Sequence, residues 1–388
     1  MRSLCLLRGL MQPKQSPVHA GGILFLVQVA LSYTLVSAQI GTAPAMEPST
    51  GLSTNGRFAQ NQLDGQLHSP EQIAKVQARA EAGSARDQFL MGYAYSKGLG
   101  QPQNLSQALT WYLKAANHAE PAAMTELGRI YVHGIGVPQD YQKGQQWLLR
   151  AAADGYAPAQ TDVGLIYFQG WGVARDYESA VRWWERAARQ GYAPAQSNLG
   201  VAYLNGMGVA FDPAQATHWF RSAADAGLET AQFDLASCYE AGQGVPQDLG
   251  AAAEWYRKAA QQGHTGAQNN LASMYQAGRG VPQDTTRALR LFLLAAEHGN
   301  MKAALNLAKI FHVGIGAKAD PALSYMWLQI AADGGENVRE ALQIAGSEIS
   351  ESELKQSLQR ARTWRMQHHL ESAPSTVASS DSRESSTP

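Results

Sequence analysis

The sequence predicts an all-α solenoid, because the same residue types recur every 36 positions along most of its 388 residues. Glycine pairs of the form GxG recur seven times, from Gly98 and Gly100 to Gly314 and Gly316. A tyrosine precedes each pair, replaced by Phe311 in the last case, and an Ala-Ala pair follows each one. A unit of this size cannot bury its apolar face alone, so neighbouring units must stack.

Each unit contains two predicted helices joined by a glycine-containing turn. In the second unit Ala123, Leu127 and Tyr131 recur at a spacing of four, which places them on one face of the first helix. Gly134 suits the left-handed residue that ends this helix, and Asp140 suits the N-cap of the second helix. Seven such units, without insertion or deletion, span residues 84–335.

The segments that flank the repeats predict capping helices, with a disordered segment beyond them at each end. Residues 69–83 predict an N-terminal capping helix, and residues 336–365 predict C-terminal capping helices. Residues 39–68 are rich in Gly, Ser, Asn, Gln and Pro and predict a disordered linker. Residues 366–388 include a Ser/Thr-rich end and predict a disordered tail.

Residues 1–38 predict an export signal. Three basic residues precede a mostly apolar stretch over residues 22–36, and Val36-Ser37-Ala38 offers a cleavage site; a start at Met11 would shorten the basic segment. The alternative is a membrane anchor, but the apolar run is about 15 residues where a span needs about 20. We therefore expect an exported protein, periplasmic or secreted, with no stable membrane span after cleavage.

Charge and composition exclude several classes of function. The formal charge is −1, and loss of the signal with its three basic residues changes it to −4, which does not favour nucleic acid. Cys5 would leave with the signal, and Cys238 stands in a column of core residues, so we expect a buried, inert thiol. The sequence contains no metal-ligand spacing and no cofactor or catalytic motif. We expect no cofactor, no bound metal and no enzyme activity.

The repeated motif has a consistent order of framework residues. In the third unit it is formed by Ala159, Val163-Gly164, Tyr167, Gly170, Gly172, Asp176, Ala180, Trp183 and Ala187-Ala188. This motif resembles the Sel1-like repeat, a subclass of the tetratricopeptide-like repeats. The resemblance implies a right-handed α-solenoid that acts as a scaffold or adaptor for protein–protein interactions, often in the bacterial envelope or outside the cell.

The analogy with tetratricopeptide repeats also implies where a partner binds. It implies a concave groove lined by the second, fifth, ninth, twelfth and thirteenth residues of the first helices. The residues that we expect to contact a partner there are Tyr93, Arg129, Val132, Leu165, Phe168, Val201, Leu204, Phe233 and Glu240. Leu165, Phe168, Val201 and Leu204 are unusually apolar for a solvent-facing surface, and exposed apolar clusters mark interaction sites. The alternative is that curvature buries them against adjacent helices.

The residue inside each GxG turn is a second candidate for partner contact. Most of these residues are apolar, and they either tuck under the next turn or form an exposed rim. We expect Trp171 to contact a partner, since tryptophan is enriched at binding hot spots.

Three hypotheses about function remain. The leading one is an exported scaffold that binds a protein or peptide in the groove. The first alternative is an envelope assembly or regulatory protein that binds cell-wall glycan or exopolysaccharide, with Tyr93, Phe168 and Trp171 stacking on sugar rings. A hydrolase is the weakest alternative, because the sequence offers no clustered nucleophile and base.

Overall fold

The computed structural model describes Leu67 and residues 69–370, and this part of the chain folds into seventeen helices. The predicted signal over residues 1–38, the linker up to residue 66 and the tail from residue 371 lie outside the described residues. Of the described residues, those up to Asp284 form one compact unit and those from Thr285 form a second.

The helices alternate as first and second members of the seven repeats. Helix α1 spans Pro70–Glu81 and precedes the repeats. The first helices are α2 Ala85–Lys97, α4 Pro121–His133, α6 Ala157–Gln169, α8 Ala193–Asn205, α10 Glu229–Ala241, α12 Thr265–Ala277 and α14 Met301–Val313. The second helices are α3 Leu105–Asn117, α5 Tyr141–Ala153, α7 Tyr177–Ala188, α9 Pro213–Asp225, α11 Leu249–Gln261, α13 Thr285–Glu297 and α15 Pro321–Asp333. Helices α16 Arg339–Ser347 and α17 Glu351–Gln367 follow, and the prediction of an all-α solenoid is confirmed.

Side-chain and glycine caps fix the ends of the helices where the sequence predicts them. The Asp140 carboxylate accepts a hydrogen bond from the backbone N–H of Lys143 at 2.9 Å, which satisfies a free donor in the first turn of α5. Gly134 ends α4 in the left-handed conformation, with a φ of 66°. The equivalent residues of the other described repeats share this left-handed glycine.

The two helices of a repeat approach each other most closely at a small residue. A Cβ on Gly164 would overlap the indole ring of Trp184, which is fully buried and donates from Nε1 to the Thr161 carbonyl oxygen at 3.1 Å. Trp183, the tryptophan of the repeated motif, is only half-buried, and the Arg186 guanidinium lies 4.5 Å from its ring centroid. The deepest core residue of the second helix therefore directly follows the repeated tryptophan.

The second glycine of each GxG turn joins neighbouring repeats. Gly244 has a φ of 70°, and a Cβ there would overlap the carbonyl oxygen of Pro213 at the start of α9 in the preceding repeat. Gly208 has the same relation to the carbonyl of Tyr177. Only glycine satisfies both the left-handed conformation and this narrow gap between backbones.

Buried glutamines at the fourth residue of the first helices add a hydrogen bond between consecutive repeats. The Gln160 side-chain amide donates to the carbonyl oxygen of Ala152 at 3.3 Å, across the junction between α6 and α5. The same bond occurs at Gln88, Gln196, Gln232 and Gln268. Met124 and Ala304 occupy this position in the other two repeats and cannot make it.

Helix α1 packs on the first repeat and begins with a reciprocal capping box between Ser69 and Gln72. Ile73 on this helix is buried, and so is Leu67 just before it. The Leu67 carbonyl oxygen would lie 2.9 Å from a Cβ on Gly100. The assignment of residue 67 to a disordered linker was therefore wrong, because this leucine is part of the core.

In the C-terminal unit, helices α16 and α17 pack against α15. Arg365 on α17 forms an ion pair with Asp333 at 2.7 Å, and the Ser357 hydroxyl donates to the Ala322 carbonyl oxygen at 2.8 Å. The ring of Trp364 meets that of Trp327 edge-on, with centroids 5.0 Å apart. Helix α17 ends at Gln367, so the first two residues of the predicted disordered tail are helical.

The second turn glycine and the glycine that ends the second helix give a matched pair of substitutions. Gly263 has a φ of 92°, yet a Cβ there would meet nothing within 4 Å. Gly263→Ala should lower the free energy of unfolding by about 1–2 kcal/mol, the cost of a left-handed alanine. Gly244→Ala should cost at least twice as much, because it adds the overlap with Pro213. Denaturant unfolding followed by circular dichroism measures both, and equal losses would show that the turn does not control packing between repeats.

Candidate partner-binding face

The first helices of the larger unit present one continuous set of side chains. We number positions from the first residue of each first helix, so that position 6 is Asp162 in α6 and Asp234 in α10. The first-helix face is the surface formed by positions 2, 5, 6, 9, 12 and 13 of α4, α6, α8, α10 and α12. The residues of this face discussed below are Glu126, Arg129, Val132, Asp162, Leu165, Phe168, Asn198, Val201, Leu204, Thr230, Phe233, Asp234, Ser237, Glu240, Asn270 and Gln276.

An ion pair on this face links the second and third repeats. Arg129 Nε donates to Asp162 Oδ2 at 2.7 Å, and its Nη1 donates to Glu126 Oε1 at 2.9 Å. The Asp162 carboxylate, followed by that of Glu126, raises the pKa of the Arg129 guanidinium above its usual range despite partial burial. Position 9 of one repeat therefore reaches position 6 of the next, and this contact shows the register between consecutive first helices.

A second polar cluster surrounds the hydroxyl of Tyr256, on α11. This hydroxyl lies 3.0 Å from Ser237 Oγ, accepts from Asn270 Nδ2 at 3.1 Å and donates to Glu240 Oε2 at 2.9 Å. Arg279 forms an ion pair with the other oxygen of Glu240 at 3.2 Å. Ser237 at position 9 and Asn270 at position 6 of the next repeat thus meet at this hydroxyl, as Arg129 and Asp162 meet each other three repeats earlier.

The predicted apolar cluster is largely packed into the core. Leu165 and Val201 are buried, with 9% and 8% of their surface exposed, because each packs into a cluster of side chains between helices. Tyr93 and Val132 are buried as well. The expectation that Leu165 and Val201 belong to an exposed apolar cluster was wrong, and the alternative of burial holds for these two residues.

Phe168, Leu204 and Phe233 remain half-buried on the same face. The ring of Phe168 lies 5.5 Å from that of Trp184 and 5.1 Å from that of Tyr177. Phe233 stacks on His264, the N-cap of α12, with centroids 4.5 Å apart. These rings thus have one edge in the core and the other accessible.

Of the residues inside the GxG turns, some pack against a neighbouring repeat and others are exposed. Trp171 is half-buried and meets the ring of His133 edge-on at 5.4 Å, so it tucks against the preceding repeat. Ile135 in the previous turn is exposed, at 46% of its surface. Position in the turn alone therefore does not decide exposure.

Position 6 is a polar column that the sequence analysis did not select. Glu126, Asp162, Asn198, Asp234 and Asn270 occupy it in consecutive repeats, within helices that are otherwise mostly apolar or small. That recurrence at the spacing of 36 was the available signal. It was missed because the tetratricopeptide analogy selects neighbouring columns.

Asp234 differs from the other carboxylates of this column. In the register set by Arg129 and Asp162, the place beside Asp234 belongs to Val201, which carries no charge. Among the described residues, no cation and no hydrogen-bond donor contacts this carboxylate. Burial raises the pKa of Asp234 to about 7, because desolvation disfavours its charged form.

Other chemistry is not apparent in the described part of the chain. Cys238 is buried, as expected, and burial raises the pKa of its thiol to about 11. Among the described residues, no group of three or more His, Cys, Asp or Glu side chains is arranged to hold a metal ion. None of the described helices combines the length and apolarity needed to cross a bilayer.

Comparison with known proteins shows that the chain matches one family model. The family model of the Sel1 repeat matches seven consecutive segments of the chain, at residues 85–119, 121–156, 157–192, 193–228, 230–264, 265–300 and 302–336. These segments coincide with the helix pairs described above. No curated protein matches the chain.

Two solved structures resemble the chain in both sequence and fold. One is c5321, a protective antigen of uropathogenic Escherichia coli strains with the SLR fold, at 30% identity and a TM-score of 0.59. That match covers 76% of this chain and 71% of the antigen. The other is a Sel1 repeat protein from Oxalobacter formigenes, at 33% identity and a TM-score of 0.56, covering 63% of this chain and 96% of that one.

Sel1 repeat proteins are generally non-catalytic scaffolds for protein–protein interaction. The seven matched segments, the repeated caps and glycines, and the two structural relatives agree with one another. The chain belongs to the Sel1 repeat family.

Proposed function

We propose that this protein is an exported, non-enzymatic scaffold that binds a protein or peptide partner along the first-helix face. The observation that carries the proposal is a contrast between columns. The framework columns keep their residue type from repeat to repeat, whereas position 12, which is partly exposed in these repeats, changes from Phe168 and Leu204 to Glu240 and Gln276. A varied surface on a constant frame is what a scaffold with a specific partner requires.

The proposal of export rests on the predicted signal over residues 1–38. The relative from uropathogenic E. coli is described as a protective antigen, and this supports a location accessible from outside the cell. We place the protein in the periplasm or outside the cell on these grounds.

A protein or peptide partner is preferred over glycan. Sugar rings stack on open aromatic faces, but Tyr93 is buried and Phe168 and Trp171 are half-buried against other rings. The face instead offers separate charged, amide and apolar groups, which suit the mixed chemistry of a polypeptide.

A charge at position 12 should remove partner binding. Residues 39–388 serve as bait in an envelope fraction of the native host, and captured proteins are identified by mass spectrometry. Leu204→Asp should reduce capture of the specific partner at least about tenfold, since the charge must be desolvated on binding. Phe211→Asp is the matched control, because Phe211 lies in a loop outside the face and is 65% exposed.

Gln276→Glu, at position 12 of α12, provides a second variant that does not disturb an apolar contact. Circular dichroism must show that all variants keep the helicity and melting temperature of the parent. If both folded face variants still capture the partner, the binding surface lies elsewhere.

Export can be tested separately from binding. Protein recovered from the envelope fraction should begin at Gln39 by N-terminal sequencing. Ala38→Arg should leave the chain uncleaved, whereas Val27→Leu in the apolar stretch should be processed normally. A full-length chain found in the cytosol would contradict the proposed location.

A further inference from the structure

The charges of the first-helix face are unevenly compensated. Helices α6, α8, α10 and α12, all fully described, contain no lysine, arginine or histidine. Three carboxylates of these helices lie on the face. Asp162 pairs with Arg129 from α4, and Glu240 pairs with Arg279 from the turn after α12. Asp234 has no such partner among the described residues.

Two buried polar groups without a hydrogen-bond partner among the described residues lie on α10 and on α8 of the preceding repeat. Asn198, the position-6 residue of the preceding repeat, is only 7% exposed, and its Nδ2 has no hydrogen-bond partner in the described part of the chain. Thr230 lies one helical turn before Asp234 on α10, and its buried hydroxyl also lacks a partner there. Buried polar groups normally have hydrogen bonds, so unpaired ones mark a place where a ligand can supply them.

Among the residues that the structure describes, none compensates the charge of Asp234. On α10 itself, the Cys238 thiol one turn later is neutral, since its pKa is about 11. On α11, burial raises the pKa of the Tyr256 hydroxyl, which therefore stays neutral and bonds Ser237, Glu240 and Asn270. The register places the neutral Val201 of α8 beside the carboxylate, and α9 contributes the neutral Thr217 near Cys238.

We infer that Asp234 and Asn198 form a recognition site for a lysine or arginine side chain within a peptide segment of the partner. The inference rests on the proposed function of the first-helix face. The cationic group pairs with the Asp234 carboxylate. It is the counter-ion of Asp234, as Arg129 is the counter-ion of Asp162. Because the proposed partner of this face is a protein or peptide, the cation is a lysine or arginine side chain and not a free ion.

The second repeat suggests a substitution that should block this site. Val201 holds the place in the fourth repeat that Arg129 holds in the second, so Val201→Arg should supply Asp234 with an internal counter-ion. This variant should raise the melting temperature at pH 8, where the wild-type carboxylate is charged and unpaired. It should also exclude the ligand cation from the site.

The experiment uses the chain of residues 39–388 and a displayed library of random 12-residue peptides, selected at pH 8. Enriched peptides are synthesised and their affinities measured by fluorescence anisotropy. We expect them to share a lysine or arginine, and replacement of that residue by glutamine should weaken binding at least about tenfold. Asp234→Asn and Val201→Arg should cause a similar loss, while Asp225→Asn, on the exposed end of α9, should not.

The pH dependence supplies a second readout. Binding to the wild type should weaken about tenfold from pH 8 to pH 6, because protonation of a carboxyl with a pKa of about 7 removes the charge that the ligand needs. Asp234→Asn should show no such change. Circular dichroism confirms that each variant is folded.

Two results would overturn the inference in distinguishable ways. If enriched peptides lose affinity with Leu204→Asp but do not depend on a cation or on Asp234, the site is wrong and the proposed function stands. If no peptide is enriched, or none responds to any first-helix variant, both the site and the proposed peptide-binding face are wrong.

Discussion

The close approach of the two helices within each repeat is the contact on which the rest of the structure depends. Gly164 lies against the indole of Trp184 so tightly that a single methyl group would overlap it. The remaining apolar surface of a repeat is covered by its neighbours. Once this spacing is set, the Gln160 amide reaches the carbonyl of the preceding helix, and the backbone of the Gly208 turn reaches that of Tyr177.

A frame held in this way allows the exposed columns to differ. Arg129 and Asp162 pair with each other, whereas Asp234, in the equivalent place two repeats later, has the neutral Val201 beside it in this register and no counter-ion among the described residues. Neither arrangement changes the glycines, caps or alanines that fix the register. Charge on the first-helix face can therefore vary by single substitutions without redesign of the fold.

The fold was predictable because its determinants are local and repeated. A left-handed glycine such as Gly134 and a capping carboxylate such as Asp140 act within a few residues, and each occurs at a fixed spacing. Exposure was less predictable, because burial of Leu165 and Val201 depends on how consecutive helices stack. The missing counter-ion of Asp234 required the register between repeats, which only the contact of Arg129 with Asp162 revealed.

The junctions between consecutive helix pairs are of two kinds, with and without a hydrogen bond from a buried glutamine. At most described junctions a side-chain amide ties the first helix to the end of the preceding one, as Gln196 does with Ala188. Met124 and Ala304 cannot form this side-chain bond at their own junctions. Hydrogen bonds between repeats resist sliding because they have a direction, whereas apolar contact resists it weakly. Under tension along the chain, we expect the junction at Met124 to yield before the glutamine-bonded junctions of the same unit.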